Sequence, residues 1–500
     1  MTTSLSSPKN SALVPSETEL RLTEARGYTT YRIRHTLASR FSFLIICLAI
    51  ILSALAYGTV HAWSLAVFFI GSIVLLVLWV IDSWILGAVR ISKNVLQLPL
   101  LGLLVLGLIQ LLPFRNPDSA GTSLPLVHSL SFNPYATRFI VIEVIALLLY
   151  FGATLVFVDT PKRLRLFVRT ITIFGFVLAI FGLTQSFTSP TRVYWIREMP
   201  QSQAFGPFIN RHHFAGYMEL TIGLPLGLIF SNAVEREKKF IYLFAAGLMA
   251  VALIFTNSRG GIISLVAEVL FLVAVMGIGR RHRKKKTDKR PRIKSAAMKA
   301  GLALALVITL FGGVVLLGGE EALSRLVGTV NADDPTTGRT QFWSVTVDII
   351  KNHPVIGTGL GSFGVVYTGY DTRNGLYRLE QAHNDYLQVL SDGGIVGAAI
   401  GLMFLIALFR MGFTRLESRD DFRRGVATGA LAGCFAVLVH SFFDFTLHTT
   451  SNSLLFLVLA ALATMNGRVE EVHSRRKKKR KETSQTVPEI AEMTKTVPAT

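Results

Sequence analysis

Apolar residues in this chain fall into repeated long runs separated by polar stretches. A helix needs about 20 apolar residues to cross the hydrocarbon core of a bilayer. Twelve stretches meet or approach that length: 41–60, 63–85, 95–113, 138–158, 166–187, 213–231, 239–256, 262–279, 297–319, 393–411, 425–445 and 452–467. Those at 239–256, 262–279 and 452–467 are short enough to be tilted or partly re-entrant. The pattern predicts an all-α polytopic membrane protein. Its expected organisation is a tail over 1–40, nine transmembrane helices over 41–319, one long loop over 320–392, three more helices over 393–467 and a basic tail over 468–500.

Composition supports this reading. The 500 residues are 51% hydrophobic and 16% charged, against about 25% charged in a soluble domain. The net charge of +20 is concentrated in the runs Arg280–Lys294 and Arg475–Lys481. Beside membrane helices such runs mark the cytoplasmic face and lie on anionic lipid, so no nucleic-acid partner is expected. With the N-terminus inside, the inside loops hold Arg90 and Lys93; Lys162, Arg163 and Arg165; Arg236, Lys238 and Lys239; the 280–294 run; and Arg410, Arg415, Arg419, Arg423 and Arg424. The alternation predicts an even helix count and two cytoplasmic termini. Cys47 and Cys434 lie in apolar runs and offer neither a disulfide framework nor a metal spacing. No Ala-x-Ala site follows the first run, which predicts an uncleaved helix and not a signal peptide. The tails 1–35 and 470–500 read as disordered.

The outside loops carry the candidate chemistry. Residues 320–392 are far longer than an ordinary connection, and their apolar spacing over 340–351 predicts an amphipathic helix in an ordered cap. Basic residues avoid outside loops, so Arg211, Arg259 and Arg339 are exceptions. A guanidinium offers forked donors and a permanent charge suited to phosphate, and Arg259 also precedes a helix N-terminus. One such arginine alone would more simply bind a headgroup or a carboxylate. Arg211 and Arg259 together, on the same side as His383, point to a shared anionic ligand. His383 stands where the long loop meets the tenth helix and suits a general base. Beside it, Asn384 and Asp385 could serve the site, and a helix cap is an equal role for Asp385.

Further along, His440, Asp444 and His448 have i, i+4, i+8 spacing. They read as a polar edge of the site, with a metal site as the weaker alternative. Asn210, His212 and His213 could support a substrate or simply sit at the interface. The glycines of GTGLGSF have no βαβ context and only superficially suggest a phosphate loop. Asp82, Glu143, Glu219 and Glu268 fall within apolar runs, where charge is costly and functional by default. Orienting the arginines is the simplest role for the last three, and a transporter's proton path is the competing one. The absence of internal repeats weighs against a secondary transporter or flippase.

Six motifs together resemble the O-antigen ligase and polymerase superfamily of bacterial envelope glycosyltransferases. They are NRHHFAGY (Asn210–Tyr217), NSRGG (Asn257–Gly261), GRTQFW (Gly338–Trp343), NHPVIGTGLGSF (Asn352–Phe363), AHNDYLQVLSDGGIVG (Ala382–Gly397) and HSFFDFTLHTTSN (His440–Asn452). They cover about the second half of the chain, and their order and spacing are jointly specific. The resemblance implies a GT-C-like inner-membrane enzyme with a periplasmic site. It would move a glycan from undecaprenyl diphosphate to a hydroxyl of lipid A core or of a second lipid-linked glycan, with no cofactor and no metal. By motif, His383 matches the family's acceptor-activating histidine, and Arg211 and Arg259 match its diphosphate arginines. The doublet His212–His213 and the segment HSFFDFTLH look closer to the exopolysaccharide branch than to the lipid A core ligases.

Overall fold

A computed structural model describes residues 35–113, 129–199, 204–283, 339–371, 379–465 and 469. The described residues are mostly helical. They include α1 (Leu37–Leu55), α2 (Ala62–Leu86), α3 (Gln97–Gln110), α4 (Pro134–Phe157), α5 (Pro161–Thr188), α6 (Arg211–Phe230), α7 (Arg236–Phe255) and α8 (Arg259–Arg283). After these come α9 (Arg339–Asn352), α10 (Phe363–Tyr370), α11 (Asp385–Arg415), α12 (Asp421–His440) and α13 (Thr450–Thr464). Eight of these helices are long and apolar enough to span a bilayer, and α3 and α13 are shorter apolar helices. The chain is a multi-pass membrane protein. The expected helix at 297–319, both charge runs for the most part, and the two tails lie outside the described residues.

Local signals start the helices where they start. Asn133 and Thr160 each accept a backbone N–H of the first turn, from Ala136 and Arg163, and each is followed by proline at the first helical position. The helix expected over 340–351 is α9. It packs Val345 and Ile349 against Phe363, Val366 and Tyr367 of α10 in a small satellite core. A two-stranded ribbon pairs Val193 with Arg197 in the connection after α5.

Burial separates centre from rim. In α6, 94% of the spanning stretch is buried, against 22% in α2, so α6 forms the centre and α2 faces lipid. The residues that place α12 against α6 are glycines. A Cβ built on Gly223 would stand 2.3 Å from the carbonyl oxygen of Gly429, and one on Gly227 would stand 2.4 Å from its nitrogen. Such small-residue rows let two backbones touch where no hydrophobic effect drives helices together. This contact sets the spacing of everything mounted at the end of α6 and α12.

α11 is broken at Gly394, which has φ 61° and ψ −160°, a conformation open essentially to glycine alone. A break inside a bilayer frees backbone groups that need partners. The PVIGTGLGSF loop supplies them. Thr358 and Gly359 donate to the carbonyls of Ser391 and Asp392, and Ile395 and Val396 donate to Pro354 and Val355. Gln110 of α3 completes the join, donating to Ile356 and Asp392 and accepting from Leu360. The glycines of this motif therefore serve a helix break and not a phosphate.

Three of the four carboxylates in apolar runs also find partners. Asp82 pairs with Arg90, which also reaches Asp159 at 3.1 Å. Glu143 accepts from Thr450 at 2.7 Å. Glu219 meets His440 at 2.8 Å. Glu219 thus reaches a histidine, because the glycine contact brings α12 within its reach.

Candidate functional site

The site begins with the way Ala382–Tyr386 is held. Asn384 caps α11, accepting from the N–H groups of Tyr386 and Leu387, while its amide donates to the carbonyl of Phe442. Asp385 sends its N–H to the Ser441 carbonyl at 2.9 Å. Its carboxylate accepts from the Ser441 hydroxyl and meets Nδ1 of His448, both at 2.7 Å. Tyr386 donates to Leu438. Trp343 of α9 donates to the Ala382 carbonyl at 3.1 Å. Anchored on both sides, His383 adopts φ 52°, a left-handed conformation that costs a side-chain-bearing residue roughly 1–2 kcal/mol. Strain of this kind survives where surrounding contacts over-determine it.

His383 is about one-third exposed, and its Nδ1 lies 3.3 Å from Oδ1 of Asp444. Its ring packs edge-on against Phe445, with centroids 4.9 Å apart. Asp444 is buried and acts as the hub. Arg339 donates to its Oδ2 at 3.4 Å and to the Phe443 carbonyl, and Nδ1 of His212 lies 3.8 Å from the same oxygen. Burial alone would raise the Asp444 carboxyl. The hydrogen bond with His383 and the charges of His212, His383 and Arg339 more than offset it, and hold this group well below the usual carboxylate range. His448 shows the same balance with the opposite sign. Burial opposes its cation, but the hydrogen bond to Asp385 and the carboxylates of Asp385, Asp392 and Glu143 raise it above an ordinary histidine.

The two arginine-bearing helix starts lie side by side. Asn210 caps α6 by accepting from the His212 N–H. Ser258 precedes α8 and accepts from the Gly261 N–H. His212 and Ser258 are joined at 2.8 Å, which ties the residue after Arg211 to the residue before Arg259. Gly260 leaves room for this arrangement, since a Cβ there would meet the His440 ring at 2.7 Å. Arg259 is exposed. His213 is buried against Thr449 at 2.7 Å and Asn210 at 3.4 Å.

The expected residues Arg211, Arg259, Arg339, His383, Asn384, Asp385, Asn210, His213, His440, Asp444 and His448 thus belong to one connected end of the bundle. One expectation about them fails. His440, Asp444 and His448 do not form a helical stripe, because α12 ends at His440 and the chain turns there into a short 3-10 helix, Thr446–His448. The three side chains go to Glu219, His383 and Asp385 respectively. Among the described residues, no group of three or more His, Cys, Asp or Glu could hold a metal ion.

Ser258, Ser441 and Thr449 join the site without any prior signal except their positions inside the motifs. Sequence spacing cannot show that a hydroxyl in one motif faces a histidine in another.

Residues 244–402 match the O-antigen ligase family model. That stretch contains α8, α9, α10 and the junction that holds His383. The chain is also similar to the exopolysaccharide production protein ExoQ of Rhizobium meliloti (strain 1021), at 24% identity over 229 residues, which are 43% of this chain and 48% of that protein. The chain therefore matches about half the length of this curated relative. Together the two matches support the O-antigen ligase and polymerase family.

Proposed function

We propose that this protein is an inner-membrane glycosyltransferase that moves a glycan from undecaprenyl diphosphate to a hydroxyl acceptor at the periplasmic face. The observation that carries this reading is the His383–Asp444 pair, set beside the joined helix starts of Arg211 and Arg259. Asp444 holds Nδ1 of His383 and leaves Nε2 to take the acceptor's proton. The acceptor oxygen attacks the anomeric carbon. The bond from that carbon to the diphosphate oxygen breaks, and its electron pair leaves with the diphosphate. Arg211 and Arg259 stabilise the charge that grows there and supply the positive field that a divalent ion would otherwise provide. Attack opposite the leaving group inverts the anomeric configuration. The similarity to an exopolysaccharide production protein favours a second lipid-linked glycan over lipid A core as acceptor, and hence a polymerase.

The test is reconstitution of the full chain in lipid vesicles with undecaprenyl-diphosphate-linked oligosaccharide from its host, with and without lipopolysaccharide, in the presence of chelator. Release of free undecaprenyl diphosphate with products growing by whole repeats is the expected result. Release only when lipid A core is added identifies a ligase instead. Arg211→Ala, Arg259→Ala and His383→Ala should each abolish product while the protein still inserts. Normal product from all three overturns the proposal.

A further inference from the structure

A second polar chain runs from the inside of the bundle to this site. Glu219 on α6 and Glu268 on α8 are fully buried. Oε2 of Glu219 and both oxygens of Glu268 lack a hydrogen-bond partner among the described residues. The two carboxylates are neighbours. Oε1 of Glu268 lies 2.8 Å from the point where Gly223, one turn along α6 from Glu219, would carry a Cβ.

From Glu219 the chain continues outward. Its Oε1 meets Nδ1 of His440 at 2.8 Å. Nε2 of His440 faces the Ser258 hydroxyl at 3.4 Å. That hydroxyl meets Nδ1 of His212 at 2.8 Å. Nε2 of His212 is the ring nitrogen this chain leaves unused.

Such a chain has two self-consistent hydrogen-bond directions. With His440 cationic, its Nε2–H donates to Ser258, the hydroxyl donates to Nδ1 of His212, and His212 carries its hydrogen on Nε2. With His440 neutral and its hydrogen on Nδ1 toward Glu219, Ser258 donates the other way. His212 must then donate from Nδ1, which leaves Nε2 bare. The charge on His440, set by the adjacent carboxylate, thereby decides whether the far nitrogen of His212 is a donor or an acceptor. The other charges acting on His440 are Asp444 and Asp385. Those acting on His212 are Asp444, His440, Arg211 and Arg339. Glu268 faces Glu219 from α8 and Cys434 from α12.

We propose that Glu219, His440 and Ser258 form a proton relay that keeps a hydrogen on Nε2 of His212, so that His212 donates to the departing diphosphate beside Arg211. The role of the donor rests on the glycosyl-transfer reading, whereas the direction of the relay does not. As the anomeric bond breaks, the diphosphate oxygen that gains the electron pair takes the hydrogen of His212 Nε2. The Ser258 hydroxyl hydrogen then passes to Nδ1 of His212, and Nε2–H of His440 passes to Ser258. Meanwhile His383 holds the proton of the acceptor hydroxyl. Both rings are partly exposed, so His383 discharges to water and the relay refills from water. Glu219, His440 and Ser258 are positioning residues, and His212 alone reaches the ligand.

The relay is read directly by nitrogen NMR of the full-length, histidine-labelled protein in lipid bilayers, with the His212 signals assigned by difference against His212→Gln. Wild type should show a protonated Nε2 and a bare Nδ1 at His212. In Glu219→Gln the amide NH2 faces the unpartnered oxygens of Glu268 and the amide oxygen still accepts from Nδ1 of neutral His440, so the two nitrogens should exchange states. Ser258→Ala leaves the Glu219–His440 pair intact and should produce the same exchange, because His212 then turns its hydrogen toward Asp444. It serves as the test if Glu219→Gln does not fold. A wild-type His212 bare at Nε2, or an unchanged pattern in either folded variant, overturns the relay. Carrier release is measured on the same samples across pH. The alkaline limb should move to lower pH in Glu219→Gln, since an opposite charge beside His440 is lost. A lower rate with an unmoved limb overturns the donor role. Exchange of the nitrogens without any carrier release from wild type would instead overturn the glycosyl-transfer reading and leave the relay standing.

Discussion

His383 and Asp444 divide their work by environment. One is partly open and strained, and the other is buried and held by several donors. His383→Ala removes the proposed base and should lower carrier release by at least about 100-fold, the usual worth of such a group, while Arg339 still pairs with the buried Asp444. Asp444→Asn should differ, since it leaves Arg339 facing an uncharged amide in a buried position, with a stability cost of roughly 3 kcal/mol. Thermal unfolding of the purified variants alongside their activity separates the two outcomes. Stability against pH gives a further check. Asp444 is depressed in the fold, so its contribution is present above the unfolded value of about 3.9 and is lost only as pH falls through its folded value. His448 is raised, so its contribution is complete below about 6.5 and is lost as pH rises through its folded value. The melting temperature should therefore decline on the alkaline side by more in wild type than in His448→Gln. Equal declines would show that the His448–Asp385 pair is not coupled to folding.

Among the elements, α6 and α12 matter most because their backbones touch. Gly429→Leu would drive a branched side chain into the Gly223 carbonyl and separate Glu219 from His440. The expected result is about 3 kcal/mol of destabilisation, at the upper end of what overpacking usually costs, and loss of activity without any change to a residue of the site. Gly394→Ala tests the broken helix. Its Cβ would stand 2.4 Å from the Val355 carbonyl oxygen, at a φ that suits glycine. Protease sensitivity should appear in the loop around residues 354–359 first, because those backbone groups lose their partners in α11. Helix placement was legible from apolar runs, since each span follows from length and composition. The helical stripe through His440, Asp444 and His448 was not, because the end of a helix depends on what its last turn meets. Here it meets the Asn384–Asp385 cap, which takes the carbonyls of Ser441 and Phe442.

For the whole molecule, the proposed orientation puts the His383 end outside. Single cysteines at Thr340 in α9 and Lys238 in α7, both exposed, should label oppositely. An impermeant thiol reagent added to spheroplasts should reach Thr340→Cys and spare Lys238→Cys until the membrane is opened. The native Cys47 and Cys434 are buried and should stay silent. The reverse pattern would place the site in the cytoplasm and remove the periplasmic reaction.

By itself the sequence determined that the chain is an α-helical membrane protein, where most of its spans lie, and which motifs hold arginines and a histidine at helix ends. These follow from the cost of burying backbone and charge in lipid, which is local and additive along the chain. Only the tertiary structure decided that Asp444 holds His383, that His448 turns to Asp385, and that Ser258 joins His212 to His440. These pairings span tens to hundreds of residues, and they depend on helix contacts such as the glycine row of α6 and α12 and the cap of α11 on the turn after α12.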